Sequence, residues 1–386
     1  MKNYSWHRFM YFFTCTAAGL FIKRKLRYKC RKVKAPDAPS LIVSNHVTDF
    51  DPMLVALGIS KHMYFLASEH ALRAGFASKI MRLFYNPIPF NKTATDVSSI
   101  KEMMRRLSAG ANVCVFPEGD RSFTGVSIPS FIAIAKLAKA SGADLVTFRI
   151  EGGYFTWPRW SVRMRKGEMS GRVINKYPAA MLSEMTDAQV LEKINEDIYE
   201  DAYKRQMESP VHFRGKNLAE SIETALYLCP KCTGIGTIRS KGDLFWCGCG
   251  LSGAYTETGF LRGEGFSFTK ISQWGVWQAE HLKSVIDSIG DETICADEGQ
   301  ILFKVCPAEC KLPVAEGVIS IDRKALSCAG EVFPLEAIKK LAIVGQMTLL
   351  FALKDGQMYE VSGKTIRSAL KYREIFKVLT EQSTYD

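Results

Sequence analysis

"SLIVSNHVTDFDP", residues 40–52, runs from a short apolar stretch through a polar turn to a proline. An apolar run bounded by turn residues reads as a buried strand, and a proline suits the first turn of a helix. The stretch is therefore strand, turn and helix. On the turn stand His46 and, five places on, Asp51. An imidazole and a carboxylate leaving a buried strand have two readings. They are a base with its orienting acid, or parts of an ordinary turn in which Asn45 and Asp49 cap the helix starting near Pro52.

The same grammar extends along the chain. "HMYFLAS" (62–68), "NVCVF" (112–116) and "ADLVTFRI" (143–150) read as further strands. Helical spacing of apolar residues covers about 70–85, 94–109 and 129–141, and a helix over 186–207 closes the unit. This alternation predicts an α/β domain on a largely parallel sheet. In such sheets active groups gather beyond the carboxyl ends of strands, so His46 and the loop after "NVCVF" should face each other. That loop, "FPEGDRS" (116–122), joins an exposed charged cluster, a glycine allowing close backbone approach, and an arginine suited to phosphate oxygens. "NPIPFNK" (86–92) adds a strand-like stretch ending in Lys92.

Taken together, "NHVTDFD", "PIPFNK" and "FPEGDRS" resemble the first three blocks of the glycerolipid acyltransferases, the 1-acyl-glycerol-3-phosphate acyltransferase family. The resemblance covers roughly residues 36–180. It implies that His46 is the general base and Asp51 its orienting partner. It also implies that Glu118, Gly119 and Arg121 belong to the acceptor's phosphate site, with Ser122 in a binding or structural role and Lys92 where the family has arginine. An acyl-CoA or acyl-carrier-protein donor is implied as co-substrate. The fourth block departs from the family pattern, reading "LVTFRIEGGYFTWPRW". The residues agree with acyl transfer: a neutral imidazole can take a hydroxyl proton near neutral pH, and the acceptor's own hydroxyl is then the nucleophile. Cys114, inside "NVCVF", reads as a buried core thiol and not as a covalent nucleophile. The interleaved aromatics and arginines of "YFTWPRWSVRMR" (154–165) read as the lining of an apolar groove or a headgroup contact.

Charge is distributed unevenly. Of 51 Lys and Arg, ten fall in residues 1–34, which hold no Asp or Glu, while the rest of the chain is nearly balanced. A nucleic-acid partner is not expected from that balance; an anionic membrane surface is. The apolar run 9–22 spans about 21 Å as a helix, short of a ~30 Å hydrocarbon core. Residues 1–34 are accordingly expected to form an interfacial anchor at the cytoplasmic face of the cell membrane, the alternative being an amphipathic helix packed on the protein's own core.

Downstream of the 35–212 acyltransferase domain the composition changes. "CPKC" (229–232) and "CGC" (247–249) pair four thiols in the manner of a zinc ribbon over residues 226–260, with Cys229, Cys232, Cys247 and Cys249 as ligands of a structural Zn2+. Cys306 and Cys310 read as plain thiols. A helix is expected near 272–289. Residues 290–383, short strands and then a helix, resemble PH/GRAM-like architecture. The fold class is thus α/β with an N-terminal membrane helix, followed by a small zinc ribbon and a β-rich PH-like domain. The function expected is transfer of an acyl group to the hydroxyl of a lysophospholipid. The other reading is a membrane-recruited binding protein with an inactive acyltransferase domain.

Overall fold

The computed structural model describes residues 4–33, 38–70, 72, 76–91, 97–306, 310–363, 365 and 367–381. They fall into two compact units, one comprising residues up to Pro158 with Met164–Arg214, the other Arg159–Arg163 with Gly215 onward.

The first unit contains, in chain order, α1 (Tyr4–Lys25), β1 (Tyr28–Cys30), β2 (Ser40–Ser44), α2 (Asp51–Gly58), β3 (Met63–Ser68), α3 (Phe76–Tyr85) and β4 (Ile88–Phe90). It continues through α4 (Val97–Ser108), β5 (Asn112–Val115), α5 (Ile132–Ala140), β6 (Asp144–Glu151), α6 (Gly153–Thr156) and β7 (Met169–Tyr177). Helices α7 (Ala179–Glu184), α8 (Asp187–Ile198) and α9 (Ala202–Glu208) complete it. The expected helix over 186–207 is therefore two helices. Thr186 and Gln189 close a capping box at the start of α8, and Asp201 caps α9 by accepting from the Tyr203 and Lys204 N–H groups.

Among the described residues the strands form one sheet in the order β1-β7-β6-β2-β5-β3-β4. Every pairing is parallel except β6 with β7. Its centre is buried on both faces, as a parallel sheet with helices on each side requires. Leu41, Val43, Val113, Val115 and Leu145 pack against α4, α5 and α8 on one face. Ile42, Cys114, Val146 and Phe148 pack against α1 and α2 on the other. Strand β2 lies between β5 and β6, so the loops leaving β2 and β5 emerge side by side at one edge of the sheet.

The N-terminal segment combines features of the two expected alternatives, with one side packed on the core and an apolar side exposed. Helix α1 has 22 residues, and its Tyr11 and Ile22 belong to the sheet-face core together with Leu26 and Tyr28. The basic segment contributes β1, paired with β7. Packing on the core is thus part of what α1 does. Its other side leaves Phe9, Phe13, Leu20 and Phe21 exposed. No helix among the described residues is long and apolar enough to cross a membrane.

The second unit begins with an antiparallel sheet of β8 (Ile238–Lys241), β9 (Leu244–Cys247), β10 (Ser252–Tyr255) and β11 (Leu261–Glu264). Phe245 on β9 packs against Trp274 of α10 (Ile271–Ile289), a fully buried side chain. There follow β12 (Cys295–Val305), β13 (Lys311–Ile321), β14 (Ala325–Cys328), β15 (Glu331–Pro334), β16 (Ile338–Val344), β17 (Thr348–Leu353) and β18 (Met358–Gly363), closed by α11 (Ala369–Thr380). Among the described residues these strands pair antiparallel in the order β15-β14-β13-β12-β18-β17-β16. The expected strands and one final helix are present, although β12 and β13, at eleven residues each, are longer than the short strands expected.

The stretch 154–165 is mostly interior, with Val162 and Arg163 exposed. Tyr154, Phe155, Arg159, Trp160 and Arg165 are all buried, and Trp160 packs on Tyr255 inside the second unit. Most of its aromatic and arginine side chains are therefore packed inside and not laid along an open groove.

Candidate active site

The turn after β2 is built around one carboxylate. Asp51, fully buried, accepts the Val47 N–H at 2.6 Å, the Thr48 N–H at 3.0 Å and the Thr48 hydroxyl at 2.7 Å. Its Oδ2 also meets His46 Nδ1 at 2.7 Å. A carboxylate only accepts, so Nδ1 carries the proton of this bond and Nε2 is the basic nitrogen of the neutral ring. The imidazole, 26% exposed, stacks on Phe116 with centroids 4.8 Å apart. The capped-turn reading fails in detail. Phe50 stands at the N-cap of α2 with no side-chain cap, and the Asn45 amide instead bridges Ile150, donating to its carbonyl and accepting its N–H at 2.8 Å each.

The loop after β5 meets this turn through Glu118. One carboxylate oxygen accepts the His46 N–H and the other the Ile128 N–H, each at 2.9 Å. Glu118 is buried, and burial pushes its carboxyl up to about 8 against the pull of those two N–H groups. The charged cluster of 116–122, expected to be exposed, is therefore largely inside: Arg121 is buried as well. The Arg121 guanidinium lies 3.4 Å from Asp49, three residues along from His46, and 5.8 Å from the centroid of the Trp157 ring. Gly119 holds φ +69°, and a Cβ there would meet Phe131 at 2.9 Å, so the turn that aims Arg121 needs glycine. Ser122 is a turn residue, its hydroxyl accepting the Thr124 and Gly125 N–H groups at 3.1 and 3.0 Å. Lys92 lies outside the described residues.

The structure thus brings His46, Asp51, Glu118, Gly119 and Arg121 to one edge of the sheet. Sequence reasoning missed Asn45 as the tie between β2 and β6, Thr48 as a donor to Asp51, and Trp157 beside Arg121. Only Thr48 left a usable signal, because a Ser or Thr in a turn commonly bonds a neighbouring Asp. Cys114 is fully buried, and burial raises its thiol well above the ordinary range, so no thiolate is available there.

In the second unit Cys229, Cys232, Cys247 and Cys249 bring their sulfurs within 4.8 Å of one another. Cys229 and Cys249 stand 3.6 Å apart, and Cys232 and Cys247 stand 3.8 Å apart. A tetrahedral zinc–thiolate centre with ~2.3 Å bonds has sulfur edges of about 3.8 Å, so the four thiols fit a metal ion of that kind. Cys306 and Cys310 are not part of this group.

A family model for the acyltransferases matches residues 7–151, which include most of α1, the His46 turn and the Glu118 loop. Among solved structures, the crystal structure of the 1-acyl-sn-glycerophosphate (LPA) acyltransferase PlsC from Thermotoga maritima is similar, with 16% identity and a TM-score of 0.39. That match covers 53% of this chain and 95% of that one. Residues 7–151, which hold all three motif blocks, are thus similar to the acyltransferase family over somewhat more than a third of the chain.

Proposed function

We propose that the protein moves a fatty acyl group from an acyl thioester to the hydroxyl of a lysophospholipid, with 1-acyl-glycerol-3-phosphate as acceptor. One observation carries this reading: the His46–Asp51 pair and Arg121 are held against each other by Glu118 and Asp49 at a single sheet edge. The acceptor hydroxyl gives its proton to His46 Nε2 as its oxygen attacks the thioester carbonyl. Asp51 fixes the tautomer and stabilises the imidazolium. The tetrahedral intermediate expels the thiolate, which takes the proton back from His46. Arg121, with Lys92, neutralises the acceptor phosphate, for which a guanidinium fork is suited. The donor is acyl-CoA or an acyl-carrier protein.

The exposed aromatic side of α1 and the basic residues after it support seating at a membrane surface, with the apolar side chains inserted and the cations among anionic headgroups. The four-cysteine group supports a structural Zn2+; when bound, the ion would cross-link two turns of the ribbon and leave no open position for chemistry. The test is thioester consumption by purified protein with a panel of lysophospholipid acceptors. Turnover that requires a phosphomonoester headgroup supports the reading, and hydrolysis without acceptor dependence refutes it.

A further inference from the structure

Residues of the β13–β14 turn (Arg323, Lys324), of the β15–β16 connection (Leu335, Glu336) and of the segment after β17 (Lys354) come together around one concavity of the C-terminal region. There the structure holds a cavity of about 730 Å³, within the range of small-molecule sites. Arg323, Lys324, Lys339 and Lys354 stand around it, over a wall that includes Leu335 and Ile338. Among the described residues Glu336 is the one carboxylate on that wall.

Arg323 is already engaged, donating to the Ile286 and Gly290 carbonyls at the end of α10 and facing Asp287 at 3.2 Å. The ammonium groups of Lys324 and Lys354 have no hydrogen-bond or ion-pair partner among the described residues. Cations gathered around a partly apolar concavity repel one another, and an anion relieves that repulsion more strongly there than on open surface. The combination of convergent cations with an apolar wall selects a ligand with both characters.

We propose that this cavity binds a phosphomonoester, with the phosphate held by Lys324 and Lys354 and the adjoining carbon skeleton lying against Leu335 and Ile338. The phosphate belongs to a soluble phosphorylated molecule or to the headgroup of an acidic lipid. The site is in the second unit and stands independently of the acyl-transfer reading.

The test uses full-length protein, the K324E/K354E variant, and a K241E/K304E control that makes the same charge change away from the cavity. Two probes separate the sources: sn-glycerol 3-phosphate by titration calorimetry, and phosphatidylcholine vesicles with and without phosphatidic acid by flotation. We expect K324E/K354E to lose about tenfold in affinity for glycerol 3-phosphate if the ligand is soluble. We expect a similar loss of preference for phosphatidic acid vesicles if it is a lipid headgroup. In either case the control should bind as wild type. If charge reversal lowers the melting temperature, K324Q/K354Q must show the same selective loss. Wild-type binding of both probes by K324E/K354E, or an equal loss in the control, overturns the proposal.

Discussion

The Glu118 carboxyl group accepts the backbone N–H of His46 at 2.9 Å, tying together two motifs 72 residues apart. Its second oxygen takes the Ile128 N–H, so one buried side chain sets the spacing between the turn after β2 and the loop after β5. The position of the imidazole therefore depends on a residue that need not touch substrate.

This buried carboxyl predicts a pH signature. Its folded value, about 8, is above its ordinary 4.5, so between these pH values the folded chain keeps a proton that the unfolded chain has released. Stability from Glu118 is complete below the unfolded value and is lost as pH rises through the folded one. Urea unfolding of wild type and Glu118→Gln from pH 5 to 9 should show wild type losing ground to the variant by on the order of a few kcal/mol. A pH-independent difference would remove Glu118 from this role.

Arg121→Ala should raise the acceptor KM at least tenfold while changing the donor KM little, because charge-assisted bonds to phosphate are lost. Asp49→Asn tests the neighbouring ion pair. The Asp49 side chain is 60% exposed and its contact with Arg121 is 3.4 Å long, so its removal should alter stability by less than about 1 kcal/mol. Equal effects of Arg121→Ala on both substrates would move this side chain out of the acceptor site.

The α/β alternation and the meeting of His46 with the 116–122 loop were legible because buried parallel strands are continuous apolar runs, and neighbouring parallel strands send their loops to the same edge. Burial of Glu118 and Arg121 was not legible, since charged residues between Pro117 and Ser122 have the composition of a solvated loop. Nor was the fate of 154–165: aromatics and arginines alternate equally well in a groove and in a core where each guanidinium finds partners. The Arg159 guanidinium, for example, bonds the Ile343 and Gly345 carbonyls more than 180 residues away in sequence. For helix α1 the sequence left interfacial seating and core packing as alternatives, because its apolar residues encircle the axis, some facing the sheet and others solvent.

Membrane seating is best tested on the exposed side of α1. Deleting the segment would also strip Tyr11, Ile22 and Tyr28 from the core. Phe9→Ser, Phe13→Ser and Phe21→Ser together should lower affinity for anionic vesicles at least tenfold, each inserted side chain contributing about 1.5–3 kcal/mol at most. High salt alone should release only part of the wild-type protein, because it screens the cations and not the apolar contact. Unchanged flotation of the triple variant would place the anchor elsewhere.

Cys229→Ser should abolish binding of one zinc per chain and make the ribbon sensitive to protease, while acyl transfer persists. The buried packing of Phe245 against Trp274 should keep the second unit from unfolding altogether. Zinc content by atomic absorption and limited proteolysis read the two effects. Unaltered zinc content would take Cys229 out of the ligand set.

The central claim is that His46, held by Asp51, takes the proton of an acceptor hydroxyl. The direct measurement is the initial rate of 1-acyl-glycerol-3-phosphate-dependent thioester consumption for wild type, His46→Ala and Asp51→Asn, with folding checked by circular dichroism. Wild type should turn over, His46→Ala should fall to background, and Asp51→Asn should lose several orders of magnitude, on the order of 10⁴, through a misdirected tautomer. Acceptor-dependent turnover by folded His46→Ala at a rate near wild type would contradict the account.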